Sequence, residues 1–381
     1  MRARDRFAIV TTAIFCISAP AILAQMSTAD RLDAAVWWPT KHSPAADEYV
    51  GPAACTRCHP SEAASQSMTA MARTASPAAE SEVLRHRPSL AVRLGAFSYT
   101  IATAGAQSVY TITDGTRSLS APLSWAFGEG KVGQTFLFER DGRLHEARVS
   151  YYDVPQALGF TPTRALAGGA SLEEAMARPV PNPEARRCFG CHTTAPSAAE
   201  RGDVRALFPG ITCEACHGPG RKHVAVMERA DPVRPRDTIL DPGQLDPRAS
   251  VDFCGACHKT FWDVKLAHET GLASLRSQPY RLQSSKCWGE GDDRLTCVAC
   301  HDPHKPLAKA ARSYDGACLR CHRQPDAPVG PQRHARACPV ARADCVTCHM
   351  PRYDVPEMHV SFTDHLIQIK DRPVGVMKKE R

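Results

Sequence analysis

One pentapeptide pattern, Cys-x-x-Cys-His, occurs seven times in this 381-residue chain, and it constrains the fold more than any other feature. The copies are CTRCH (Cys55, Cys58, His59), CFGCH (Cys188, Cys191, His192), CEACH (Cys213, Cys216, His217) and CGACH (Cys254, Cys257, His258). CVACH (Cys297, Cys300, His301), CLRCH (Cys318, Cys321, His322) and CVTCH (Cys345, Cys348, His349) follow. Together they take 14 of the 17 cysteines. Two cysteines three positions apart lie on one side of a helical turn, so both sulfurs can reach the two vinyl groups of a single haem. The next residue, histidine, is then placed to bind the iron as proximal ligand. A disulfide framework, zinc sites or a thioredoxin-like pair would also use cysteine, but none of them needs histidine at the following position seven times. The pattern reads as seven haem c groups per chain, with His59, His192, His217, His258, His301, His322 and His349 on the irons.

The spacing of the motifs sets the architecture. First cysteines are separated by 133, 25, 41, 43, 21 and 27 residues, so one haem stands apart and six crowd into 188–349. That leaves about 27 residues per haem, too few to wrap each in its own shell. The expected fold is mainly α with irregular loops, a multihaem core in which porphyrins pack on one another. Gly218-Pro219-Gly220, Asp241-Pro242-Gly243, Asp302-Pro303 and Met350-Pro351 punctuate the short helices. The long gap differs: AFSYTI, SVYTIT, QTFLFE and LHEARVSYY alternate as strands, with turns at Asp114-Gly115 and Asp141-Gly142. It reads as a small antiparallel β insert without haem.

The expected segments are a signal peptide (1–24), an arm and first haem segment (25–82), the β insert (83–157), a six-haem helical domain (158–366) and a basic tail (367–381). MRARDR followed by the apolar run from Phe7 to Leu23 and then Ala24 has the layout of a secretory leader. The rival reading is an uncleaved anchor, since the run approaches spanning length. Cys16 lies inside it. Export, with the periplasm as the natural address, agrees with haem attachment outside the cytoplasm. The formal charge of +7 falls to about +5 without the leader, and seven haems with their propionates add roughly −7 when ferric and −14 when ferrous. A basic balance is therefore no argument for nucleic acid or an anionic membrane as partner.

The sequence resembles the exported multihaem c-type cytochromes with doubled CxxCH motifs, whose helical haem cores are like those of pentahaem nitrite reductases and octahaem hydroxylamine oxidoreductases. The resemblance is carried by YVGPAACTRCHP, FGEGKVGQTFLF with VSYY, ITCEACHGPGRKHV, SKCWGEGDDRLTCVACHDPHKP and CVTCHMPRYDVPEMHVSFTDH, segments spread along nearly the whole mature chain. It implies haem c and electron transfer. The CxxCK motif through which nitrite reductases of that group bind their active haem is absent: all seven motifs end in histidine.

Nine histidines remain for the opposite faces of the irons. His304 follows His301 by three residues and cannot wrap round the same porphyrin, so it should serve a neighbour, and His223 argues alike from His217. The distal candidates are His223, His304 and His365, then His359, His268 and His86, each with a surface or hydrogen-bonding role as its alternative. His334 and His42 are evenly balanced, and His145 on a strand reads as structural. Met68, Met71 and Met358 read as packing rather than axial sulfur. Cys287 and Cys338 are left for a disulfide or for thiols, a choice the sequence leaves open.

The function expected is a heptahaem electron relay between periplasmic or membrane-bound redox proteins, without stable membrane insertion after leader cleavage and compatible with homo-oligomers. The alternative is a multihaem oxidoreductase with one open-site haem acting on a small nitrogen or sulfur compound. P-loop, nucleotide-binding and nucleophile patterns are absent.

Overall fold

The computed structural model describes residues 45–162, 171–194, 208–229, 234–289, 295–322, 338 and 340–368. The leader, His42, His334 and the basic tail from residue 369 onward lie outside the described residues.

Alternating apolar residues between the first and second motifs build two antiparallel sheets. Strands β2 (Ser89–Leu94), β3 (Phe97–Ala104), β4 (Gln107–Thr113) and β5 (Ser118–Pro122) form a four-stranded meander. The second sheet runs β1 (Ala75–Pro77), β6 (Trp125–Phe127), β7 (Gly133–Arg140), β8 (Arg143–Tyr152) and β10 (Ala177–Pro179), with β9 (Ala157–Phe160) also paired to β8. Tyr99, Ile101, Tyr110 and Ile112 of the meander meet Phe136, Phe138, Val149 and Tyr151 of the second sheet in one buried core. The tip of the β7–β8 hairpin is Asp141-Gly142, both at positive φ (52° and 67°), as a two-residue turn matching strand twist requires. A bulge between Thr135 and Leu137 shifts register in β7.

Strand is more extensive than the mainly α expectation. Pairing reaches outside 83–157, to β1 on one side and to β10 on the other. The sheet is also no appendage. Its other face, with Trp125 and Leu137, forms a second buried cluster with Phe189 of the CFGCH motif. Alternation around apolar runs made β3, β4, β7 and β8 legible, whereas β1, β6, β9 and β10 are too short for a period to register.

The rest of the described chain is short helix and loop, as the spacing predicted. Its longest described helix is Pro247–His258, 12 residues, started by Asp246, whose side chain accepts from the N–H groups of Arg248 and Ala249, and by Pro247 at its first position. Among the described residues no helix is long and apolar enough to cross a membrane. Cys287 and Cys338 do not form a disulfide.

Candidate haem sites

Each motif is presented at the end of a short helix or on an isolated turn. Helices Asn182–His192, Cys213–His217, Pro247–His258 and Cys345–His349 all finish on their motif histidine. The histidine thus leaves the helix where the chain can turn away, as at Gly218 (φ 78°) after His217.

Three of these imidazoles are oriented by backbone. Nδ1–H of His192 donates to the Thr74 carbonyl at 3.1 Å, that of His217 to Leu240 at 2.9 Å and that of His349 to Gln368 at 2.6 Å. A carbonyl only accepts, so the proton sits on Nδ1 and Nε2 is left as the ligating atom. Burial holds His192, His258, His301 and His365 below the usual histidine range, keeping the neutral form that binds metal.

The distal candidates fall into distinct places. The His304 ring lies 6.0 Å from that of His217, centroid to centroid, with planes 6° apart, and the His365 ring lies 6.2 Å from that of His301 at 38°. With a metal–imidazole distance of about 2 Å on either side, two axial rings have centroids about 6 Å apart. Both separations would suit one iron bound by two imidazoles, and His304 stands beside the histidine of the third motif rather than that of its own. His365 is clamped: its Nδ1–H donates to Thr363 O at 3.1 Å, and its own carbonyl accepts from the Ser285 hydroxyl at 3.2 Å. The preceding Asp364, 1% exposed, takes a two-pronged bond from Arg281 at 2.7 and 2.6 Å.

His223 lies on the helix Arg221–Arg229, its Nδ1 3.3 Å from the Thr238 hydroxyl. His359, in the left-handed region (φ 53°), sets its ring edge-on to Tyr152 at 4.8 Å. His268 (φ 51°) and His86, the last residue of Glu82–His86, are exposed. His145 stacks on Phe138 at 5.5 Å, in keeping with a structural role. Met68 is 53% exposed and lies 3.2 Å from the Arg73 guanidinium, which corrects the packing role expected of it.

The motifs neighbour one another. Cys55 and Cys213 are near enough to perturb one another's thiols, as are Cys191 and Cys257, Cys254 and Cys297, and Cys318 and Cys345. Cys216 and Cys254 lie within electrostatic reach, and so do Cys300 and Cys318. Polar contacts repeat the pattern: Cys191 Sγ lies 3.9 Å from the Ala256 carbonyl, and Arg320 bonds the Ala299 carbonyl. Asp315, just before the sixth motif, accepts from the N–H groups of Asp344 and Cys345 at 2.8 and 2.9 Å, starting the helix of the seventh. The spatial order is first, third, fourth, fifth, sixth, seventh, with the second placed on the fourth. Beside the first and third motifs, Pro52, Pro60, Ala63, Ala64, Thr212 and Cys213 line a cleft of about 380 Å³, a size in the range of cofactor sites.

Sequence reading missed the sheet as a seat for the second motif. Phe189 meets Trp125 at 5.1 Å and Phe127 at 5.2 Å, both edge-on, and Phe127 meets His192 at 5.1 Å. It also missed the carboxylates Glu214, Asp315 and Asp364. The one signal available for Glu214 was its place between two haem cysteines.

The family described as cytochrome c554 and c-prime matches residues 163–218. No curated protein matches the chain. A solved structure, that of the outer cell wall cytochrome OcwA, is similar at a TM-score of 0.47 and 15% identity over 84% of this chain and 80% of that one. The family match spans the CFGCH and CEACH motifs and supports a multihaem c-type cytochrome.

Proposed function

We propose that the chain is an exported heptahaem c-type cytochrome that relays electrons through closely packed, mostly bis-histidine haems. The observation that carries the reading is the succession of neighbouring motifs, from Cys55 beside Cys213 at one end to Cys318 beside Cys345 at the other. Haem c supplies one-electron ferric/ferrous chemistry when bound. The chain's own residues supply the rest. Paired cysteines would hold each haem, Nδ1 hydrogen bonds to carbonyls orient His192, His217 and His349, and His304 and His365 would bind iron together with His217 and His301. Iron held by two histidines would leave no position for substrate and would favour a low potential. Cys58, His59, Cys300, His322 and Cys348 are exposed, so the first, fifth, sixth and seventh motifs are natural contact points for periplasmic or membrane-bound redox proteins.

A second reading is favoured at the second motif. Burial, with smaller contributions from Arg276 and His258, lowers His192, and the same Arg276 acts on Tyr152, whose ring faces His359. A haem at this motif without a second histidine would suit a small nitrogen or sulfur compound, the role of an open-site oxidoreductase.

Electron paramagnetic resonance of the ferric protein, with carbon monoxide added to the reduced form, separates the two. Low-spin signals alone and no carbon monoxide binding are expected for the relay. A high-spin haem that binds carbon monoxide would favour the oxidoreductase.

A further inference from the structure

Glu214 stands between the two cysteines of the third motif and is 1% exposed. Its Oε1 accepts from the N–H groups of Val50 at 2.9 Å and Gly220 at 2.7 Å, and its Oε2 from that of Gly51 at 2.8 Å. All three partners are donors only, so both oxygens are acceptors, the pattern of an ionised carboxylate. None of the described ion pairs includes it. The backbone is shaped for this contact. Gly51 sits at φ 76°, and a Cβ on Gly220 would come within 2.9 Å of Val50 and 3.2 Å of Oε1.

This anion lies between two haem attachment points. Gly51 begins the helix Pro52–Thr56 that carries Cys55, and Cys55 lies beside Cys213, the residue before Glu214. Burial first, and then the Glu214 charge, push the nearby Tyr49 phenol up. In a poorly screened interior such a charge favours ferric over ferrous iron nearby.

We propose that Glu214 is a fixed buried anion that lowers the reduction potentials of the first and third haems together, making that end of the relay the readier electron donor. The proposal rests on the relay reading. One electron and no proton would move, from the haem that the first or third motif would hold to the one that the fourth would hold, the first losing and the second gaining that electron. Glu214 acts through its charge and is a positioning residue, touching no substrate.

The test is a redox titration of the haem-loaded protein followed by electron paramagnetic resonance, comparing wild type, Glu214→Gln and Glu214→Asp. Two of the seven midpoints should rise in Glu214→Gln and five should stay, while Glu214→Asp, which keeps the charge, stays close to wild type. Unchanged midpoints in fully loaded Glu214→Gln would overturn the proposal, and so would equal shifts in both variants, which mark a purely structural clasp. Should Glu214→Gln fail to load haem, infrared difference spectra of unmodified protein carrying carbon-13 glutamate decide. A labelled carboxylate band that responds to reduction supports the proposal, and a silent one overturns it. A wild type that binds too few haems would instead defeat the relay reading.

Discussion

A histidine with Nδ1 tied to a carbonyl has one nitrogen left to offer, and its position decides what it can bind. His365 is held this way, with its ring 6.2 Å from that of His301. Replacing it, as His365→Ala, should turn one low-spin ferric haem high-spin and create a carbon monoxide site, with the other six signals unchanged. Electron paramagnetic resonance reads this directly, and an unaltered spectrum would remove His365 from the ligand set. Thioether chemistry fixes the spacing of covalent and proximal residues, so the candidates for those roles stand out in sequence. The second ligands are not constrained in that way. Any of nine histidines could approach an iron from a distant segment, and only the fold separates His304 and His365 from exposed His86 and His268. The clamp on His365, Asp364 with Arg281, spans 83 residues, a separation at which sequence carries no local signal.

At the scale of elements, the two-sheet unit both folds on its own core and seats the second motif. Phe189, 1% exposed between Trp125 and Phe127, links the two. Its truncation, Phe189→Ala, removes a fully buried ring and should cost about 3–5 kcal/mol, seen as a lower midpoint in thermal unfolding together with a changed spectrum of the second haem. A loss near zero would mean the sheet and the motif are independent. The turn between β4 and β5 gives a pH prediction. Asp114 is lowered from 3.8 to about 2 by the N–H of Arg117 first, then by the hydroxyl and N–H of Thr116. A folded value below the unfolded one means that its contribution is complete above pH 4 and is lost as pH falls through about 2. Amide exchange in β4 and β5 should accelerate over that acid range in wild type, and Asp114→Asn should abolish the pH dependence. Asp114-Gly115 was readable as a turn because both residue types serve that geometry. The joining of β1 and β10 to the sheet was not, since three-residue strands are chosen by tertiary pairing rather than by pattern.

At the scale of the whole molecule, the first motif is distant in sequence yet adjacent in space to the third, through Cys55 with Cys213 and Glu214 with Val50 and Gly51. The isolation implied by a 133-residue gap is therefore one of chain path only, because the intervening residues fold away into sheets and return. The crowding of the other six was legible, since about 27 residues cannot enclose a haem; the order in which they adjoin was not, because that order depends on how short helices pack. That order makes one connected set, with the second motif joined at the fourth, and predicts that every haem exchanges electrons with the rest. Coulometric titration of the purified holoprotein tests this most directly. Seven electrons per chain, taken up and returned reversibly, are expected. Fewer than seven, or a fraction that accepts electrons and does not give them back, would contradict the relay.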